Sequence, residues 1–264
     1  MGDRVTFTIG EDRVGVVSLN RPDKLNAMDI AVFDGLHAAT SSVQAAIAEG
    51  SVRAVLIKGE GRAFSAGLDV SLFAEQAAGA TPDDDWIAYL QQAFTGFEDL
   101  AVPVVAAVRG VAYGGGCQLA LAAHLRLATP DAQLALLEAN WAIIPDLGGL
   151  TRLPRVIGLS RATDMAMTAR KVDAQTALSW GLVAKVLDPQ DFDAAARAYT
   201  AGLAAGPTVA IGAVPRLLRQ SFVTQRDPML AAERAYQQTC LGSADFVEAA
   251  AAAQQRRAPD FQGR

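Results

Sequence analysis

The chain has 264 residues, about half of them hydrophobic and a fifth charged, the composition of a globular protein with a substantial core. Its net charge of −5, with both signs interspersed, excludes the basic stripe of a nucleic-acid-binding surface, and no run of 18 apolar residues crosses a membrane. Two Cys and two His in no ligand spacing exclude a structural zinc and a disulfide framework; with a start, Met1-Gly-Asp-Arg4, unlike a secretory leader, they point to the cytoplasm.

Val5–Ile9 and Val14–Leu19 read as strands of a hairpin closed by the polar turn at 10–13. Arg21–Asn26 is a loop by its Pro, Asn and charges. Asp29 caps a helix to about Glu49, with Phe33, Leu36 and Val43 on one face. Val52–Lys58 is a strand, Gly59–Gly61 a turn, and Arg62–Asp69 a short segment of small residues. Ala77–Asp85 is polar and unpatterned, so mobility is expected there. Trp86–Leu100 is a helix leading into the apolar strand Val102–Val108. Further on, Leu125–Ala128 and Gln133–Leu137 are short strands, joined through 138–146 to a helical pair, Leu150–Ile157 and Arg161–Thr168. Asp173 caps a helix to Trp180, Gly181 ends it, and Val183–Leu187 is the last strand. From Asp191 on, everything is helical, with breaks expected at Gly206-Pro207, Asp227-Pro228 and Gly242-Ser243. The layout is mixed α/β over 1–190 and all-helical over 191–264, with no linker that would divide it.

The stretch around which the rest is arranged is Arg109–His124, Arg-Gly-Val-Ala-Tyr-Gly-Gly-Gly-Cys-Gln-Leu-Ala-Leu-Ala-Ala-His. Three glycines between a buried strand and a helix leave peptide N–H groups unshielded by side chains. At a helix N-terminus those donors favour an anion, or charge that develops on an oxygen during a reaction. The plainer alternative is a tight turn that lets a helix pack close to a strand.

Asn20–Met28, Ala63-Phe-Ser-Ala-Gly-Leu-Asp69, Val108–Cys117, Ile144-Pro-Asp-Leu-Gly-Gly149 with Arg152–Arg155, and Arg256–Phe261 together resemble the crotonase superfamily, the enoyl-CoA hydratase/isomerase family. The resemblance runs in register from about residue 5 to the end. It implies a spiral of β-β-α turns and a C-terminal helical region that builds trimers, commonly paired into hexamers. It also implies an acyl-CoA substrate, with coenzyme A as part of the substrate and no separate cofactor or metal. By match to the motifs, the backbone N–H groups of Leu68 and Gly115 form an oxyanion hole for the thioester carbonyl. Lys24, Leu25, Ala27, Ala66, Asp69, Gly114 and Gln118 fall on the substrate- and CoA-binding wall. Lys24 and Arg62 are candidates to meet the CoA phosphates, and for each the alternative is a solvated surface charge.

Hydratases of this family use two glutamates. One position is Gln118 here, which cannot exchange a proton and so argues against ordinary hydration. The other matches Glu138. A further acid, Asp146, resembles the aspartate of the family's dienoyl-CoA and epoxyacyl- or oxepin-CoA isomerases. Glu138 and Asp146 flanking an acyl chain imply double-bond migration, the proton leaving one carbon and returning at another. The alternatives stay open: Asp146 as a helix cap, Glu138 as a strand-end surface acid, and Gln118 as a helix residue bonding a neighbour or holding a water. Hydration through Glu138, and a silent acyl-CoA binder, are the rival functions. A dehalogenase reading lacks its histidine in Trp86–Leu100. His37 and His124 read as structural and Cys117 as a buried filler, while Phe73, Tyr89 and Trp141 belong to an acyl pocket or to plain core.

Overall fold

The computed structural model describes residues 3–72 and 83–263. Among the described residues these strands and α-helices follow in chain order: β1 Val5–Ile9, β2 Val14–Leu19, α1 Ile30–Ala48, β3 Ala54–Gly59, α2 Asp84–Glu98, β4 Val104–Val108, β5 Val111–Tyr113 and α3 Gly115–Ala122. Then come β6 Leu125–Ala128, β7 Gln133–Ala135, α4 Gly149–Ile157, α5 Leu159–Thr168, β8 Val172–Asp173, α6 Ala174–Ser179 and β9 Lys185–Val186. The last four helices are α7 Phe192–Ala204, α8 Thr208–Gln220, α9 Arg226–Leu241 and α10 Ala244–Gln255.

Six strands form one sheet in the order β1-β2-β3-β4-β6-β9, parallel throughout except for the β1–β2 hairpin. β5, β7 and β8 form a second, smaller sheet. Isolated pairings continue that second layer, Ser65 against Ala112 and Met28 against Leu68. Each turn of the chain thus adds a long strand to one layer, a short strand or single bridge to the other, and then a helix. This is the expected spiral of β-β-α turns, and it stacks residues 28, 65–68 and 112 beside one another. The site is built on that stack.

The central strands are apolar on both faces because both are covered. Val17, Val55, Ile57 and Val104 point into the large core with Phe33, Phe64, Phe94 and Phe97. Val16, Leu56, Val105 and Leu127 face the other way, where Phe192, Ala196 and Ala204 of α7 cover them. Burial of a side chain such as Phe192 is worth roughly 1.5–3 kcal/mol. The first helix of the tail therefore shares a core with the sheet. Arg53 anchors the tail's end, donating to the carbonyls of Gly206 and Phe261 at 2.6 and 2.8 Å.

Several sequence expectations shift. Val111–Tyr113 is a strand rather than part of a direct strand-to-helix junction; Gly110, at φ +57°, turns the chain so that β5 can pair with β7. The break expected at Asp227-Pro228 falls inside the first turn of α9, and the chain leaves the helix at 221–225 instead. A proline is tolerated there because first-turn N–H groups have no helical acceptor. Of the Ala77–Asp85 stretch, Ala77–Pro82 lies outside the described residues, as does Phe73. Asp83 caps α2, accepting from the Trp86 N–H at 2.8 Å, so that helix starts two residues earlier than its apolar pattern does.

Candidate active site

The turn at 65–69 is shaped by side chains that have no contact with solvent. Asn26, itself left-handed at φ +55°, donates to the carbonyls of Glu60 and Ala63 and accepts from the Arg21 N–H. Ser65 donates to the Asn26 carbonyl at 2.8 Å and accepts from the Gly67 N–H at 3.1 Å. Met28 bridges this turn through the Gly67 carbonyl and the Asp69 N–H. The intervening Leu68 amide consequently faces away from Met28, and it donates to no protein acceptor among the described residues.

Gly114 completes the opposite side. Its backbone, φ +50° and ψ −120°, is open to glycine and strained for other residues, and its own N–H is held by the Ala135 carbonyl at 2.9 Å. The next amide, Gly115, starts α3 and donates to no protein group among the described residues. An added Cβ on Gly67 would lie 3.4 Å from the Gly115 nitrogen, so the two free amides belong to segments in direct contact. The glycines divide the work. Gly67 and Gly116 are needed for close approach, since a Cβ would come within 2.7 Å of the Tyr113 carbonyl oxygen and 2.5 Å of the Ser65 one. At Gly115 a Cβ meets only ordinary contacts, to Leu147 at 3.6 Å and Leu68 at 3.7 Å.

Because β7 ends where it holds Gly114, the 3-10 turn Glu138–Trp141 that follows brings Glu138 against the same loop. Glu138 is buried, 7% exposed. Its Oε1 accepts from Gln118 Nε2 at 2.6 Å, while its Oε2 is a buried atom without a protein partner. Burial pushes its carboxyl above the usual range, and the charge of Asp146 pushes it the same way, against the pull of the Gln118 donor. A carboxyl raised in this way suits proton exchange nearer neutrality. A cavity of about 350 Å³ opens here, walled by the 66–70 turn, Gly114, Gly115, Leu137, Glu138, Trp141 and Ile143, with Lys24 and Ala27 at its other side.

A sequence model of the enoyl-CoA hydratase/isomerase family matches residues 10–264. The chain belongs to that family. It is similar to the 1,2-epoxyphenylacetyl-CoA isomerase of Escherichia coli K12, 30% identical over 257 residues that cover 96% of this chain and 97% of the other. Among solved structures, an enoyl-CoA hydratase from Bacillus anthracis superposes with a TM-score of 0.89 at 28% identity, covering 99% of this chain and 100% of that one. A Thermobifida fusca YX structure in complex with CoA superposes at 0.80 and 32% identity, covering 90% and 93%.

Of the residues that the family motifs single out, Lys24, Ala27, Ala66, Leu68, Asp69, Gly114, Gly115 and Glu138 of this family member line one cavity. Leu25 takes part through its main chain, its carbonyl accepting from the Ala66 N–H at 2.9 Å. Asp69 is paired with Arg21 and accepts from the Ser71 N–H at 3.0 Å; that amide, then Arg21, lowers its carboxyl to about 2. Gln118 lies behind the cavity wall, 1% exposed, bonded at both ends of its amide. Arg62 is exposed and stands apart from the cavity.

Asp146 is half-buried and is not among the residues that line this cavity. It is not a cap either, because α4 is preceded by Gly148 with no side-chain cap. Burial raises its carboxyl, and its main-chain oxygen accepts from Gln91 at 2.6 Å. Glu138 is buried rather than a surface acid. His124 is structural: its Nδ1 accepts from the Val104 N–H and its Nε2 meets the Glu98 carbonyl, and burial drops its pKa to about 4. Cys117 is fully buried, its thiol pushed up to about 12 by burial. Trp141 lines the cavity, whereas Tyr89 stacks on His37. Sequence reading missed the supports, Asn26, Ser65 and Arg21. The one available signal was Asn26, a residue type that tolerates a left-handed backbone inside a turn. Among the described residues, no group of three His, Cys, Asp or Glu side chains is placed to hold a metal.

Proposed function

We propose that this enzyme of the hydratase/isomerase family shifts a carbon–carbon double bond in an acyl-CoA thioester. The thioester carbonyl is held by the Leu68 and Gly115 amides, and Glu138 Oε2 takes a proton from one carbon of the acyl chain. The bond electrons move through the chain onto the carbonyl oxygen, giving an enolate that the two amides stabilise. The proton returns at a carbon two positions away and the double bond re-forms between the others, so no atom is gained or lost. A removed oxyanion donor typically costs about 10²–10³ in rate. Asp146, outside the lining of the cavity, raises the affinity of Glu138 for its proton by its like charge rather than meeting the acyl chain. Lys24, exposed at the cavity, meets the phosphates of CoA, while Ala27, Ala66 and Asp69 line the wall against the CoA portion of the substrate and Leu25 supports it through its main chain.

The single observation that carries this reading is the state of Gln118. It stands where hydratases have their other acid, and both ends of its amide are bonded to protein, to Glu138 and to the Gly149 N–H. It cannot exchange a proton, and it lies behind the cavity wall rather than on it. The superposition on a Bacillus anthracis enoyl-CoA hydratase favours hydration through Glu138 as the second reading. Incubation with trans-2-, trans-3- and 2,4-dienoyl-CoA tests both. A change of absorbance without a change of mass supports isomerisation; a gain of one water supports hydration; binding without conversion of any of them leaves a silent binder.

The same enzyme is proposed to assemble as a homotrimer, alone or paired into a hexamer. The support is the apolar row on and after α8, where Leu218 is 61% exposed, Phe222 60% and Val223 75%. Such a row on one element is the character of an interface.

A further inference from the structure

We propose that Gln118 is a positioning residue that restricts the proton carried by Glu138 to Oε2. The inference rests on the reading of Glu138 as the proton-transfer group, and it adds which atom of that group is able to act.

The orientation of the Gln118 amide follows from its partners. The Gly149 main-chain N–H can only donate, and it donates to Gln118 Oε1 at 2.9 Å. The other end of the same amide is therefore Nε2, and at 2.6 Å it donates to Glu138 Oε1. A flip would put two donors face to face at Gly149 and two acceptors at an ionised Glu138, both buried. The orientation thus follows from hydrogen bonding alone. Space allows no slack: a Cβ on Gly149 would lie 2.9–3.1 Å from Gln118 Oε1, Cγ and Cδ.

Glu138 Oε1 is consequently an acceptor in both protonation states. When the carboxyl is neutral its proton has one place, Oε2, the buried atom with no protein partner. The other groups around it do not compete for the role. Cys117 on the same helix keeps its proton, Asp146 presents a like charge, Asp69 across the cavity is tied to Arg21, and Lys24 is solvated. Gln118 also joins three elements, α3, the 138–141 turn and the start of α4, so the orientation of Glu138 is fixed by the fold.

A glutamate at position 118 keeps the acceptor for Gly149 but loses the donor to Glu138, and two carboxyls at this distance share one proton. A methionine of similar shape removes both bonds. Two variants, Gln118→Glu and Gln118→Met, are compared with the parent by titrating ¹³C-labelled glutamate side chains by NMR without substrate, the Glu138 signal being assigned with Glu138→Gln. In Gln118→Met the Glu138 midpoint rises by about one pH unit or more, since an ionised carboxylate has lost a donor. In Gln118→Glu it splits into two coupled steps, and the acid limb of kcat/KM moves with the midpoint while KM for the thioester holds.

A role confined to holding Gly149 predicts an unmoved Glu138 midpoint in Gln118→Met, and that result overturns the proposal, as does a single uncoupled step in Gln118→Glu. Midpoints that move as expected in a protein that converts no acyl-CoA leave the restriction on Glu138 standing and remove the isomerase reading instead.

Discussion

Gly67→Ala is the most direct test of the two amides. Gly67 sits at φ +96°, and the new Cβ would lie 2.7 Å from the Tyr113 carbonyl oxygen and 3.4 Å from the Gly115 nitrogen. Comfortable contact begins at about 3.5 Å, so the 65–68 turn and the 113–115 segment must part by most of an ångström. Both amides ride on those segments, and an oxyanion held by two donors keeps only one of them. The expected loss is about 10²–10³ in kcat, or roughly 2.7–4 kcal/mol at the transition state. Backbone strain adds a separate effect of about 1–2 kcal/mol on stability. Gly50→Ala is the control: it has a similar positive φ of +76°, with nothing within 4 Å of the added Cβ. Turnover of an enoyl-CoA substrate is measured beside the thermal midpoint for both variants. Both melt a few degrees lower, but only Gly67→Ala loses activity. A Gly67→Ala enzyme as fast as the parent, or a Gly50→Ala enzyme equally slow, refutes the reasoning.

Glu138→Gln is expected to lower turnover by about 10²–10⁴ while CoA binding, followed by calorimetry, is kept. Its effect on stability depends on pH. Burial raises the Glu138 carboxyl in the folded chain, so its stabilising contribution is complete below the unfolded pKa and is lost as pH rises through the folded one. The variant should therefore melt higher than the parent at about pH 8 and lose that advantage at about pH 4. Asp69→Asn has the opposite sign. Asp69 is lowered to about 2 by the Ser71 amide and Arg21, so its contribution is present above the ordinary carboxylate range and fades as pH falls towards 2. The variant melts lower than the parent at neutral pH, and the gap narrows in acid; a gap constant with pH would refute the pairing. Leu218→Glu, at a 61% exposed position on α8, should convert a trimer to a smaller species in light scattering, and an unchanged mass would move the interface elsewhere.

The parts of the site legible in the sequence are those in which the residue type itself performs the task. Gly114 is required by its own backbone angles, a local demand, whereas Gly67 and Gly116 answer to the Tyr113 and Ser65 carbonyls of segments far along the chain, so there the sequence shows the glycine and not its reason. The strands and most helices were equally legible because their apolar periods are local. Asp29, Asp83 and Asp173 each cap a helix, of which 29 and 173 were anticipated and 83 was hidden in an unpatterned stretch. β5 escaped notice because three residues carry too little alternation, and its existence depends on β7, which comes twenty residues later. Pro228 misled because proline ends a helix from within yet begins one at its first turn.

The sequence by itself carried the motifs whose resemblance implies the family and its spiral, and the identity of Gln118, a residue that cannot carry a proton, since each is a matter of residue type at a fixed place in the chain. Only the tertiary structure decided what Gln118 does instead, that Asn26 and Ser65 brace the turn bearing Leu68, and that Glu138 is buried with one oxygen unpartnered. Those are relations between segments separated by 20–40 residues. Distance and burial arise when the turns of the spiral stack, and no local preference of the chain encodes them.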